Sequence, residues 1–194
     1  MKSLVFIVVT GTPGTGKTVF SEALAKAIGF THLDIGRFCL ERGLTLGFDE
    51  ERQTYIVDMA GLKRLIKSLK NENLILDGHI AHLIAPSRYV KVAFVLRCHP
   101  RVLRKRLEAK GYPLSKIHEN VMAEILDVCL IEALKAYKGK IYELDSTGKP
   151  VEQLVSEALS FYSGDVKPRI GIVDWISKLS EEGLLEKYIR GVFE

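Results

Sequence analysis

No apolar run in the sequence is long enough to cross a bilayer. The longest, Leu4 to Val9, is far short of the roughly 20 residues a spanning helix needs. Cysteine is sparse: Cys39, Cys98 and Cys129 are widely separated and form no CxxC pair. That excludes a disulfide framework and metal-ligand spacing, and fits buried thiols in a reducing compartment. No internal repeat or low-complexity segment is present. Neither sign of charge dominates, since 28 Lys and Arg face 24 Asp and Glu for a net +4 and a sequence pI of about 8.9. This mildly basic balance is compatible with phosphate-bearing ligands or an RNA-rich neighbourhood and requires neither. Lys2 and Ser3 before the apolar run have the outline of a signal peptide. Because that run leads directly into the glycine-rich motif below, the expected location is the cytoplasm.

What is present begins with "GTPGTGKT", residues 11 to 18. Gly11, Gly14 and Gly16 leave the backbone free to wrap an anion with its N–H groups turned inward. The helix expected from Lys17 adds its positive end. Lys17 is expected to reach the β- and γ-phosphates of a nucleoside triphosphate, with the Thr18 hydroxyl on Mg²⁺. A second metal ligand belongs at the end of a neighbouring buried strand, and "LILDGH" supplies Asp77 there. The motif fixes the donor. It leaves open whether the γ-phosphate goes to water, to a nucleoside monophosphate or to another small molecule.

Strand and helix patterns alternate over the 194 residues. Short apolar runs predict strands at Leu4–Val9, Thr31–Ile35, Leu74–Leu76, Val90–Leu96 and Lys140–Leu144. Between them, apolar spacing predicts a helix after the glycine loop that stops at Gly29, and a long one from Asp49 carrying Ile56, Leu62, Leu65, Ile66 and Leu69. Two more are predicted around 100–109 and 116–137, and a closing helix at Val151–Tyr162. The expected fold is α/β: a doubly wound five-stranded parallel sheet with flanking helices, of the P-loop NTPase type. After the break "SGDVKPRIG", Ile172, Val173, Ile176 and Leu179 form one apolar face. Leu184, Leu185, Tyr188, Ile189 and Val192 form another. Residues 164–194 thus read as a helical extension, packed on the core or offered to a partner.

Two classes are excluded. No NKxD-type guanine signature is present, and Gly78 follows Asp77 where a helicase or AAA-type motor places Glu. His79, two residues after Asp77, points the same way on extended chain and could orient a water or relay a proton. His82 lacks the further ligands that a zinc pair with His79 would need. From Arg97 to Lys116 seven cations face one acid, Glu108. Arg97 at a strand end and Arg106 are the best-placed candidates to spread over a migrating phosphoryl charge.

The ordered set "GTPGTGKT", "DIGRF", "GFDEE", "IVD", "LDGH", "FVLR", "RLEAKGY" and "ENVMAEI" resembles the adenylate kinase isoenzyme 6 family, also called the coilin-interacting nuclear ATPase family. The match is to an archaeal-type member with a C-terminal extension and runs from residue 4 to about 162. The resemblance implies a nucleoside monophosphate kinase-like domain over 1–163, with adenylate kinase and ATPase activities, ATP as phosphate donor and Mg²⁺ as cofactor. It also implies a role in late maturation of the small ribosomal subunit beside a ribosomal platform protein and the pre-ribosomal particle. Gly14, Thr15, Gly16, Lys17, Thr18 and Val19 would line the ATP phosphates. Asp77 would organise the metal, and His79 would be the family's second catalytic residue. The segment of about 34–57 would bind the monophosphate, and about 109–119 would form a short lid in which Lys110 stands where the family places an arginine. Lys17, Asp77, His79 and Arg106 are therefore the catalytic candidates, and Gly36, Arg37, Arg42 and Arg97 the acceptor-binding ones. One departure stands out. Kinases of this class read GDxxR after the second strand, and here Arg37 occupies the Asp position and Leu40 that of the clamping Arg. Arg37 or Arg42 would have to replace it.

Overall fold

The computed structural model describes residues 5–50, 54–69 and 72–192. Along the chain the elements are β1 (Phe6–Thr10), α1 (Lys17–Ile28), β2 (Thr31–Asp34), α2 (Ile35–Glu41), β3 (Thr45–Asp49), β4 (Thr54–Val57), α3 (Met59–Ser68), β5 (Leu74–Asp77) and α4 (Ala81–Ile84). They continue as β6 (Val90–Arg97), α5 (Pro100–Ala109), α6 (Leu114–Ile125), α7 (Val128–Ala136), β7 (Ile141–Asp145), α8 (Val151–Ser163), α9 (Trp175–Glu181) and α10 (Leu185–Ile189).

Five strands form one parallel sheet in the order β2-β5-β1-β6-β7. β1 lies at its centre and is buried at every residue, which is why it reads as an unbroken apolar run rather than an alternating one. Successive side chains still go to opposite faces. Phe6 and Val8 join Leu62, Ile66 and Tyr137 on one side, and Ile7 and Val9 join Phe20, Leu24 and Leu154 on the other. The chain turns from the β2–β5 half to the β6–β7 half across β1, so the switch point falls at its carboxyl end, the place where open α/β sheets gather ligands. α1 starts there. It stops at Gly29, whose φ of 70° is the left-handed conformation of a helix C-cap.

Two predicted helices are corrected. The segment from Asp49 does not begin a helix: β3 and β4 pair as an antiparallel hairpin, and α3 starts only at Met59, where the Asp58 carboxylate accepts from the Gly61 N–H at 2.9 Å. The β-branched and aromatic run Thr54–Val57 favours a strand, so Ile56 belongs to the hairpin. Glu51 of "GFDEE" and Leu4 of the first strand lie outside the described residues. The helix expected over 116–137 is two helices, α6 and α7, parted at Asp127, which adopts φ 56°. Its carboxylate leaves the helical course to pair with Arg97.

The segment after α8 packs on α5 and α6. Trp175, Leu179 and Tyr188 share a buried cluster with Leu103, Leu107, Ile117, Val121 and Ile125. The predicted apolar faces are partly corrected. Ile172 and Val173 precede α9 rather than lying on it, and Ile176 and Ile189 point outward. Leu179 is buried as expected, and Trp175, four residues before it, completes the buried stripe.

Candidate active site

The loop between β1 and α1 wraps tightly because three of its glycines adopt positive φ. At Gly11, with φ 138°, a Cβ would stand 2.3 Å from the Leu96 carbonyl oxygen. No other residue fits between the loop and β6. Lys17 is buried, and its Nζ donates to the Thr12 carbonyl at 3.0 Å. Burial lowers its pKa, opposed chiefly by the Asp77 carboxylate. The same Thr12 carbonyl accepts from the Thr15 hydroxyl at 2.9 Å, so the lysine is held folded against its own loop.

Two cavities flank the loop. The first, of about 320 Å³, is lined by Gly14, Gly16, Lys17, Thr18 and Val19, by Asp34 and Gly36 from the β2–α2 turn, by Asp77, Gly78 and His79 after β5, and by Lys110 and Tyr112 beyond α5. The second, of about 600 Å³, shares Gly14, Gly16, Val19 and Lys110. It adds Thr15, Phe20, Arg106, Ser146, Lys149, Val151 and Leu154. Lys110 thus overhangs both. Arg106 reaches back to the loop, with Nη1 donating to the Gly14 carbonyl at 3.3 Å and Nη2 to the Ser146 carbonyl at 3.4 Å. The Ser146 hydroxyl in turn donates to the Thr15 carbonyl at 2.7 Å.

Asp77 is buried, with Oδ2 at 3.2 Å from His32 Nε2. Its other oxygen, Oδ1, is buried and has no hydrogen-bond partner among the described residues. A buried carboxylate oxygen without a donor is costly unless something positive arrives. Thr18, with an exposed side chain, lines the same cavity. An oxygen pair of this kind suits Mg²⁺, which keeps most of its shell as water and phosphate oxygens. Thr18 and Asp77 therefore fit a magnesium ion.

His79 stands at the cavity rim, open to solvent on one side. The protein mass around the rest of the ring strips enough water to push its pKa down to about 4, and the charges of Lys17, His82 and Lys116 add to the shift. The imidazole is neutral near pH 7. His82 is buried behind it, its Nδ1 at 2.7 Å from the Thr10 hydroxyl and its Nε2 at 2.9 Å from Glu132. This is a positioning contact at the end of β1 and no part of a metal pair. Among the described residues no group of three or more His, Cys, Asp or Glu side chains is arranged to hold a metal alone.

The acceptor candidates divide. Gly36 lines the first cavity. Arg37 borders an adjoining pocket with Thr18, Glu22, His32 and Asp34, its guanidinium paired to Glu41 at 2.7 Å on the surface. Arg42 lies over the Phe38 ring at 5.4 Å and lines neither main cavity. Arg97 is a correction. It is fully buried, donating to Glu124 at 2.8 Å and pairing with Glu143 and Asp127. Burial works against its charge, but those carboxylates outweigh it and the pKa is raised. A guanidinium with its fork filled by carboxylates is not free for a substrate phosphate. Sequence reasoning also missed His32, Ser146 and Glu124. Glu124 lies inside the quoted "ENVMAEI", yet nothing in that string marks its side chain as buried and bonded.

Residues 7–127, more than half of the chain, match the family described as AAA domain. A protein of Methanocaldococcus jannaschii named "Putative adenylate kinase" is 40% identical, over 93% of this chain and 98% of its own. Its namesake from Pyrococcus abyssi is 41% identical, over 87% of this chain and 90% of its own. Among solved structures, shikimate kinase from Acinetobacter baumannii in complex with shikimate superposes with a TM-score of 0.61 at 18% identity, covering 84% of this chain and 96% of that one. At that identity the likeness shows the fold alone, a P-loop sheet with flanking helices. Gly78 after Asp77, the feature on which an AAA-type motor is excluded, stands beside this match to a family described as AAA domain. The chain belongs to the AAA-domain family that residues 7–127 match and, with its archaeal relatives, to an adenylate kinase-like family.

Proposed function

We propose that the protein is a Mg²⁺-dependent nucleoside monophosphate kinase that transfers the γ-phosphoryl group of ATP to AMP or another nucleoside monophosphate, and that also hydrolyses ATP. The observation that carries the reading is the buried Asp77 Oδ1, which has no hydrogen-bond partner among the described residues, in a residue that lines one cavity with Thr18, Lys17 and His79. The relatives' name supports the acceptor class. ATP is assigned to lie with its base and ribose toward the larger cavity and its phosphates in the loop. The inward N–H groups and Lys17 hold the β- and γ-phosphates, and Lys17 exchanges the Thr12 carbonyl for them. Thr18 and Asp77 would hold Mg²⁺, which when bound neutralises phosphate charge. Arg106 and Lys110 add positive charge where it develops during transfer. The acceptor enters beside Gly36 and Arg37. Its phosphate oxygen bonds to the γ-phosphorus as the bond to the β-bridging oxygen breaks, giving two nucleoside diphosphates. Closure of residues 109–119 excludes water.

His79, neutral near pH 7, is suited to orient a water or accept its proton when no acceptor is bound. In this reading Lys17→Ala loses all turnover. His79→Ala loses hydrolysis more than ATP binding, and an equal loss of ATP affinity would refute its role. We assign the activity to the cytoplasm, in keeping with the free thiols of Cys39, Cys98 and Cys129.

A second reading is favoured by a different observation. Leu40, at the place of the clamping arginine, is 52% exposed, and the nearby hairpin leaves Leu46 at 72% and Phe48 at 46%. An apolar projection of this kind suits a protein partner. The chain would then be an ATPase assembly factor for a small-subunit ribosomal protein, as its likeness to the isoenzyme 6 family implies, and its nucleotide cycle would time release. Pull-down with small-subunit proteins tests it: retention that ignores nucleotide counts against a switch.

A further inference from the structure

Two buried carboxylates, Glu124 and Glu143, join the catalytic half of the molecule to the segment after α8. Glu124 Oε2 accepts the Thr12 hydroxyl at 2.7 Å, inside the phosphate loop. Its Oε1 accepts the indole N–H of Trp175 at 3.0 Å, along with Arg97 Nε and the Cys98 N–H. Glu143 Oε1 pairs with Arg97, while its Oε2 accepts the N–H groups of Gly171 at 2.6 Å and Ile172 at 3.0 Å. Arg97 therefore bridges two acids, and each of them also accepts from the stretch 171–175.

We propose that Glu124 is a positioning residue for the phosphate loop, set by the segment 171–192. The Trp175 indole and Arg97 fix one carboxylate oxygen, so that the other stands ready for the Thr12 hydroxyl. Thr12 in turn tethers Lys17 through its carbonyl. The carboxylate has little freedom to answer elsewhere, because Trp175 is clamped by His99 at 5.2 Å between ring centroids and by the buried cluster of α5 and α6. α6 is held from its other end too, where His118 Nε2 meets the Tyr188 carbonyl at 3.0 Å. When a phosphate draws Lys17 away, the Thr12 peptide loses a partner and readjusts, and its hydroxyl transmits that change to Glu124 and the indole. The inference rests on the loop binding a nucleotide and is independent of which acceptor is used.

Trp175 is the only tryptophan of the chain, so its emission reads this connection directly. The experiment uses the full chain with MgADP as probe, and calorimetry sets saturation for each variant. Saturating MgADP is expected to shift the Trp175 emission in the unmodified protein and in Thr12→Ser, which keeps the hydroxyl, but not in Thr12→Val. Steady-state kinetics supply the second arm. Thr12→Val and Trp175→Phe are each expected to raise the KM for ATP about tenfold, the worth of one hydrogen bond to a charged acceptor, with kcat changed far less. The double variant should be no worse than either single one, because both act through one carboxylate. An unmoved emission at calorimetric saturation would overturn the proposal, and so would KM effects that multiply in the double variant. Should Trp175→Phe fail to fold, the emission comparison across the Thr12 variants decides alone. The emission arm needs only bound nucleotide, so a protein that binds MgADP but transfers no phosphate refutes the kinase reading and leaves this one standing.

Discussion

His32 Nε2 stands 3.2 Å from Asp77 Oδ2, on neighbouring parallel strands, and the contact leaves Oδ1 as the oxygen without a hydrogen-bond partner among the described residues. A histidine that donates to one carboxylate oxygen fixes where the other points, as outer-shell partners of metal ligands do. The Asp77 hydrogen bond raises the His32 pKa. His32→Ala should therefore raise the Mg²⁺ concentration needed for half-maximal turnover by about tenfold while leaving the folded state intact. A magnesium titration at fixed ATP checks it.

Arg97 predicts a different kind of loss. With its guanidinium bonded to Glu124, Glu143 and Asp127 in the interior, Arg97→Ala strands buried carboxylates. The expected cost is about 3–5 kcal/mol of stability, read as a lower urea midpoint. The KM for a nucleoside monophosphate, measured where the variant is folded, should not rise as it would for a lost acceptor contact.

Arg37 is the opposite case. It is exposed and, among the described residues, its guanidinium is tied only to Glu41 one helical turn away, a pairing of little consequence for folding. Arg37→Ala should leave the melting temperature unchanged and raise the KM for AMP about tenfold, as loss of a charged hydrogen bond to phosphate does. ATP hydrolysis without AMP should be unaffected. Steady-state kinetics with and without AMP separate the two effects.

His82 sets a pH dependence of stability. It is buried between Thr10 and Glu132, and desolvation lowers its pKa, with Glu132 opposing. A group depressed in the folded state favours folding fully above its unfolded pKa, about 6.5, and that contribution is lost as pH falls. Unfolding free energy should thus decline on acidification from pH 7 to 5, and His82→Gln should flatten that part of the curve. Urea unfolding across pH measures it.

Much of the scaffold was legible in the sequence, because buried parallel strands read as continuous apolar runs and the glycine loop announces itself. The hairpin β3–β4 was not, since the helical spacing of Leu62, Leu65, Ile66 and Leu69 was carried back over Ile56, which lies six residues before Leu62 and off that face. Nor was the break at Asp127, which depends on a salt bridge to a residue thirty positions away. At the site, Lys17, Thr18, Asp77 and His79, singled out from the motif and the resemblance, line one cavity. Arg97 was misread because charge at a strand end looks the same whether it faces a ligand or three internal acids. His32 and Glu124 carry no motif, and their parts come only from tertiary proximity.

Nucleotide chromatography identifies the acceptor of the γ-phosphate. The protein is mixed with Mg²⁺ and ATP, with and without AMP, and ADP, AMP and free phosphate are quantified together. Added AMP should be consumed with two ADP formed for each AMP, and with little phosphate released. Equal amounts of ADP and phosphate, unchanged by AMP, would contradict it and make water the acceptor.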